Sequence, residues 1–548
     1  MPTNAQVAEL FRGIADVLDV LGERFKPEAY RRAARSIESL TEDLSQVAAR
    51  GELRTIPGVG DAIEEKIGEY LESGHVDYYD RLRTQVPAGI LALLSIPGLG
   101  PKTARRFWLE LGVEGPGELA DAIEKGRLSG VSGFGPKKIE QIRTALTAAQ
   151  SAPAASRLPI EAAYPIAMHL RDGLRAAGGV EKIEVAGSFR RGRETVGDLD
   201  ILVTSAEPEK VFDAFTRLPE VREVRLRGGT KETVLLTNGL QVDLRVVDPA
   251  AFGAALLYFT GSKDHNVRLR SLARDRGLKI NEYGAFRGEE RVGGRTEDEV
   301  YSALDLAWIP PELREDRGEI DAARSGPLPP LVERANLRGD LHLHLPSKAT
   351  VGDVERLVET ARERSLAYVG CVVAGIEADG SPFSLPSAVL DRLDDPGARG
   401  LALGRVVEVG PGGPSKEWAK LRPDYVILRA LAKEREPPPQ WPDDIRPAMV
   451  AHVGGEEGGR RWVAWARSHG ACIEVGPGAE RLDSTGARSA REAGVPLVVP
   501  TGVELPGDDP TCAVALGFAR RAGAGAKDVR NAAPAAEVTR GWSKSRRA

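Results

Sequence analysis

Up to about residue 150, apolar positions recur at helical spacing. Val7, Leu10, Phe11, Ile14, Leu18 and Leu21 fall on one side of an N-terminal amphipathic helix. Pro27 suits the first turn of a second helix, and Tyr30, Arg31, Arg32 and Arg35 give it a basic face. An apolar, Pro or Ser, Gly, apolar, Gly pattern then occurs three times, as IPGVG from Ile56, IPGLG from Ile96 and VSGFG from Val131. Each copy runs into a helical stretch, the first two spanning 61–71 and 101–111. Gly58 and Gly60, Gly98 and Gly100, and Gly133 and Gly135 allow a tight hairpin, and the helix start after each offers backbone N–H groups to an anion. Three copies this close together describe helix-hairpin-helix elements, which hold a DNA backbone phosphate without reading bases.

Residues 150–156 read as a linker, and a helix follows over about 160–177. The pattern then changes to alternation. A short apolar run leads into Gly187-Ser188, and a loop carrying Arg190, Arg191 and Arg193 comes next. The loop closes on Gly197-Asp198-Leu199-Asp200, and Ile201-Leu202-Val203 continues as strand. Asp198 and Asp200 lie two residues apart, so they share a face. Asp243 sits in a second alternating run, LQVDLRVV. Carboxylates crowded on neighbouring strands repel each other unless a cation lies between them, and hard oxygen donors suit Mg²⁺. Gly187 lets the backbone come close to a phosphate, Ser188 can donate to it, and the arginines can surround a triphosphate. Downstream, YFTGS places Tyr258 and Phe259 on a glycine turn at Gly261, ahead of a helix with Arg268, Arg270 and Arg274.

Composition narrows the reading. The length of 548 residues implies three or four domains, and the 42% apolar content is enough for ordinary cores. No run approaches the length of a membrane span, and the N-terminus is not patterned as a secretory signal. Cys371, Cys472 and Cys512 are far apart and fit neither a disulfide frame nor a zinc site, so a cytoplasmic protein is expected. The net charge of −5 weighs against nucleic-acid binding. The hairpins answer that objection, because their donors are backbone dipoles.

Taken together, the hairpins, GSFRRG, GDLD, VDLR and YFTGS resemble family X DNA polymerases, the group of DNA polymerase beta, over roughly residues 1–316. The resemblance implies a multidomain chain. A helical lyase-like DNA-binding domain would span 1–84 and a helical DNA-gripping domain 85–150. An α+β nucleotidyltransferase palm would span 157–250 and a nucleotide-selection domain 251–316. It implies that Asp198, Asp200 and Asp243 bind two Mg²⁺ ions, replaceable by Mn²⁺, with no organic cofactor. Asp243 would deprotonate or orient the primer hydroxyl. Arg157, Gly187, Ser188, Arg191 and Gly197 would hold the triphosphate. Tyr258 and Phe259 would lie against the sugar, Gly261 would belong to the nucleotide site, Asn266 would touch the base edge, and Arg270 the template side. The partners would be gapped or nicked double-stranded DNA and dNTPs, in a bacterial, nucleoid-associated setting of base excision repair. Lys66 matches the Schiff-base lysine that some members use as a deoxyribose-phosphate lyase. Ala62 in place of a basic residue, and the neighbouring Glu64 and Glu65, count against that activity. The rivals are a template-independent nucleotidyltransferase and a non-catalytic DNA-end-binding scaffold.

A Pro-rich linker over 317–335 precedes DLHLH, where His342 and His344 share a strand face. This resembles the opening of a polymerase-and-histidinol-phosphatase (PHP) domain, a distorted β/α barrel, here over 336–540 with a basic tail at 541–548. Most of that family's ligands are missing. Residues 368–375 read YVGCVVAG where an Asp-His motif is expected, and 498–504 read VVPTGVE where Asp-x-His is expected. His342, His344, Glu408 and His452 remain as ligand remnants. The expectation is a folded barrel without exonuclease or abasic-site endonuclease activity.

Overall fold

The computed structural model describes residues 4–540 except 39–43, 74–75, 95, 97–98, 132–133, 152–156, 377–381, 395–400, 411–420, 422, 430–436, 439–446, 452–455, 479–480 and 503–509. Gly98, Gly133, His452 and the tail lie outside the described residues. Among the described residues no helix is long and apolar enough to cross a membrane. The chain forms two compact units, 1–156 and 157–548.

The first unit is helical. Val7, Phe11, Ile14 and Leu18 of the helix Asn4–Leu21 are buried, and they join a core that also takes in Phe107 and Leu119. One core therefore runs through both stretches expected as separate helical domains. The three hairpins repeat the same turn. Val59 N donates to Ile56 O at 3.0 Å, Leu99 N to Ile96 O at 3.0 Å, and Phe134 N to Val131 O at 3.1 Å. Gly58 has φ +91°, a conformation that a side chain would strain. Gly60, Gly100 and Gly135 each accept the first hydrogen bonds of the following helix, which begins at Asp61, Pro101 and Pro136.

The second unit begins with a two-stranded pair, β1 (Leu158–Pro159) and β3 (Thr195–Val196). The palm sheet comprises β2 (Lys182–Val185), β4 (Asp198–Thr204), β5 (Val221–Arg227), β6 (Lys231–Leu236) and β7 (Gln241–Val246), in the order β2-β4-β7-β6-β5. The alternation in β4 and β7 decides what each face meets. Leu199, Ile201, Val203, Val242 and Leu244 pack against the helices Ile160–Ala176 and Pro208–Thr216. Leu202, on the opposite face, packs against Phe252, Ala255 and Leu256 of the helix Phe252–Thr260. Asp198, Asp200 and Asp243 have the parity of that opposite face.

A meander of β8 (Lys279–Asn281), β9 (Gly284–Arg287) and β10 (Glu290–Gly293) follows with its own helices. Their core includes Ile320 and Ala323 of the helix Glu319–Ser325. The stretch expected as a linker thus contributes a packed helix, because those two apolar residues find a core to enter.

The C-terminal sheet is the expected barrel-like one. β11 (Gly339–His344), β12 (Tyr368–Ile376), β14 (Ala402–Val409), β15 (Tyr425–Arg429), β16 (Pro447–Ala451), β17 (Cys472–Glu474) and β18 (Leu497–Val498) run parallel in that order, with β13 (Pro382–Ser384) antiparallel on β12. Buried Asn531 bridges the gap between the first and last strands. Its amide donates to Gly339 O at 2.9 Å and to Val499 O at 2.7 Å.

Candidate active site

β4 and β7 are parallel neighbours with Asp200 opposite Asp243, so three carboxylates meet at one end of the sheet. Asp243 is buried and held on both oxygens. Thr233 Oγ1 donates to Oδ1 at 2.7 Å, and Lys231 Nζ lies 2.6 Å from Oδ2. Burial, then the charges of Asp198 and Asp243, raises the Asp200 carboxyl to about 7. Burial and the Asp243 charge also raise that of Asp198. This cluster of hard oxygen donors is short of positive charge, and a divalent cation fits that requirement.

The loop Gly187–Arg190 forms a single helical turn directly over these carboxylates. Gly187 has φ +65°, and a Cβ there would stand 2.7 Å from Asp200 Oδ2, so a side chain at this position would strain the backbone and crowd that carboxylate. A cleft of about 540 Å³ is lined by Arg157, Gly187, Ser188, Arg191, Arg193, Asp198, Asp200 and Phe259. Arg157 is held beside it, donating to Thr195 Oγ1 at 2.9 Å and to Thr195 O at 2.7 Å. A Cβ on Gly197 would come within 3.1 Å of the Arg157 guanidinium.

The structure therefore gathers Arg157, Gly187, Ser188, Arg191, Gly197 and the carboxylates around one cleft. Tyr258 and Phe259 sit on the last turn of the helix Phe252–Thr260 rather than on the glycine turn, because the apolar run before them is buried as helix. Gly261 caps that helix. Asn266 donates its amide to Tyr258 O at 2.7 Å, and exposed Arg270 bonds Asn266 O at 3.3 Å.

Two arginines of the loop are already engaged. Arg190 and buried Arg314 both clasp Glu297, at 2.7 and 2.5 Å from its Oε1. Arg191 donates to Glu315 Oε1 at 2.9 Å and to Thr260 O at 2.6 Å. Sequence reasoning missed Lys231, Thr233, Glu297 and Glu315. Each is a common residue type on an unremarkable stretch, and only strand pairing or chain reversal brings it to the site.

In the first unit, Lys66 Nζ donates to Ala62 O at 2.8 Å and lies 4.7 Å from the centre of the Tyr78 ring. Glu64 is drawn to Arg54 at 2.5 Å.

In the barrel, His342, exposed His344 and buried Glu408 bring ligand atoms within 4.8 Å of one another. Glu474, which the sequence reading did not single out, joins them. His342 is clamped between Glu408 at 3.0 Å and Glu474 at 3.2 Å. Burial alone would push its imidazole down, but the two carboxylates outweigh that and raise it to about 10. Arg429 and Arg481 stand 3.7 and 3.8 Å from the two carboxylates.

A palm sheet with three carboxylates beneath an arginine-lined glycine turn defines the nucleotidyltransferase class. The models for the DNA polymerase beta palm and thumb match residues 157–248 and 255–315. Two helix-hairpin-helix models match 2–76 and 90–148. The chain is 33% identical over 368 residues to a Bacillus subtilis protein named DNA polymerase/3′-5′ exonuclease PolX, which covers 66% of this chain and 63% of that one. It is 28% identical to rat DNA polymerase lambda over 57% of this chain and 56% of that one. It is 26% identical to the Arabidopsis thaliana DNA polymerase lambda over 57% and 62%. Over residues 2–315 the chain belongs to the DNA polymerase beta-like family, family X. It spans under two thirds of the length of each of these relatives.

Proposed function

We propose that this protein is a template-dependent DNA polymerase that fills short gaps during repair. Asp198, Asp200 and Asp243 at the edge of an arginine-lined cleft carry this reading. The acceptor is the primer 3′-hydroxyl on gapped or nicked DNA, and the donor is a dNTP. Asp198, Asp200 and Asp243 would hold Mg²⁺, for which Mn²⁺ can substitute. The ion supplies charge neutralisation at the reacting oxygens.

The chain's own residues do the positioning. Ser188, Arg157, Arg191 and Arg193 bind the triphosphate, and Phe259 closes the cleft against the sugar. Asn266 and Arg270 extend from the next helix toward the base pair. Asp243, oriented by Thr233 and Lys231, accepts the proton of the primer hydroxyl. The new O3′–P bond forms as the bond to pyrophosphate breaks. The three hairpins would grip the DNA backbone, the first taking the 5′-phosphate of the gap, which counts against a small-molecule acceptor. Lys66, bonded within its own helix beside Tyr78, gives little support to lyase chemistry. The barrel, whose sequence keeps only His342, His344, Glu408 and His452 of the ligands that the resemblance implies, is read as a scaffold rather than a hydrolase.

Primer extension on a one-nucleotide gap, with and without the 5′-phosphate, tests the reading. The templated dNTP alone should be added, faster with the phosphate present. Asp243→Ala should abolish extension while sparing DNA binding. Addition of all four dNTPs to single-stranded primer would overturn template dependence.

A further inference from the structure

The barrel grips the palm at the loop that forms the cleft. Phe189 packs against both the palm core and the barrel core, and Ile160 and Tyr164 join the barrel core from the palm helix. Gly192 meets the barrel helix Pro510–Arg521 backbone to backbone, since a Cβ on it would lie 3.4 Å from Gly517 O. Ser484 donates its hydroxyl to Glu194, at the end of the same loop.

Arg521 closes that barrel helix and is buried. Its Nη1 donates to Glu315 Oε1 at 2.7 Å and to the carbonyl of Arg191 at 3.3 Å. The Arg191 side chain uses the same Glu315 oxygen, and Arg193 stands 3.8 Å from the other. Burial alone would raise the Glu315 carboxyl; the guanidiniums of Arg521, Arg191 and Arg193 outweigh it and hold it at about 2. Glu315 is thus shared by three cations, and with Glu194 3.9 Å from Arg521 Nε the three guanidiniums still outnumber the two carboxylates, which leaves an excess of positive charge along the wall of the cleft. Without Arg521, Glu315 would answer to Arg191 and Arg193 alone and draw them away from an incoming anion. The loop would also lose a donor to its backbone.

We propose that Arg521 of the barrel is a positioning residue for the nucleoside-triphosphate site, acting through Glu315 and the Arg191 carbonyl. The barrel is then a buttress of the polymerase cleft. This inference rests on the proposed function for the identity of its ligand.

The test uses the full chain and four proteins: the unaltered one, Arg521→Met, Arg521→Lys and Arg520→Met. Arg520 is the control, because its guanidinium pairs with Glu312 at 2.6 Å and donates to Val332 O at 3.0 Å. Equilibrium binding of dGTP in Mg²⁺ is measured beside gap-filling kinetics. Arg521→Met should weaken dGTP binding and raise KM about tenfold with a smaller change in kcat. Arg521→Lys should fall between, which keeps the test decisive if the Met variant does not fold. Arg520→Met should bind as the unaltered protein does. Unchanged dGTP binding in both Arg521 variants, or an equal loss in Arg520→Met, would overturn the inference. Tight dGTP binding that depends on Arg521 without any primer extension would sink the proposed function and leave this inference standing.

Discussion

Asp200 carries much of the electrostatic tension in the cleft. Its folded carboxyl titrates near 7, raised by burial and by the Asp198 and Asp243 charges, whereas an unfolded one titrates near 3.8. The folded state therefore binds the proton more tightly, so this group favours folding at low pH and opposes it once ionised. Its contribution falls as pH climbs from about 4 through 7. Without divalent ions, Asp200→Asn should stabilise the protein at pH 8 by about 1–3 kcal/mol, a figure discounted for partial exposure. At pH 4 it should change little. Melting curves in EDTA at both pH values check this, and excess Mg²⁺ should shrink the gain, because the ion relieves the same repulsion. At this scale the Asp-x-Asp pair and the Gly-Ser turn were legible in the sequence, because spacing alone sets a shared face. Lys231 and Thr233 were not: β6 reaches Asp243 only through antiparallel pairing with β7, in which Thr233 lies opposite it.

The helix-hairpin-helix repeats were the most legible elements. Their glycine spacing dictates a local turn, and all three copies show the same hydrogen bond across it. Gly100 has φ −86°, which any residue adopts, and a Cβ there would meet nothing within 4 Å. Gly100→Val should therefore fold, with a melting temperature within about 2 °C of the unaltered protein. Its side chain would stand where a DNA phosphate approaches the helix start, so affinity for gapped DNA should drop about tenfold. Filter binding at fixed salt measures the loss, and an unchanged affinity would remove this hairpin from the DNA interface. The Tyr258-Phe259 element was misread at its boundary. A turn signal at Gly261 was visible, but the apolar run before it could be given to a helix only once the palm sheet was there to cover it.

For the whole molecule, the barrel is the test case. The sequence led to the expectation of a barrel short of metal ligands, and the structure adds buried Glu474 to the cluster, with His342 between it and Glu408. The purified protein with Mn²⁺ should not degrade single-stranded or abasic DNA. Degradation that disappears when His342 and His344 are changed together would show the barrel to be a nuclease. The sequence alone determined the order of elements, the hairpin turns and the carboxylate strand, since each depends on residues within a few positions of one another. Only the tertiary structure decided which strand supports Asp243, that a supposed linker helix packs into a core, and that Arg521 reaches back to Glu315 across 206 positions of chain. Those contacts join residues far apart in sequence. Nothing local encodes them, because burial and charge pairing take effect only after the chain has brought its distant parts together.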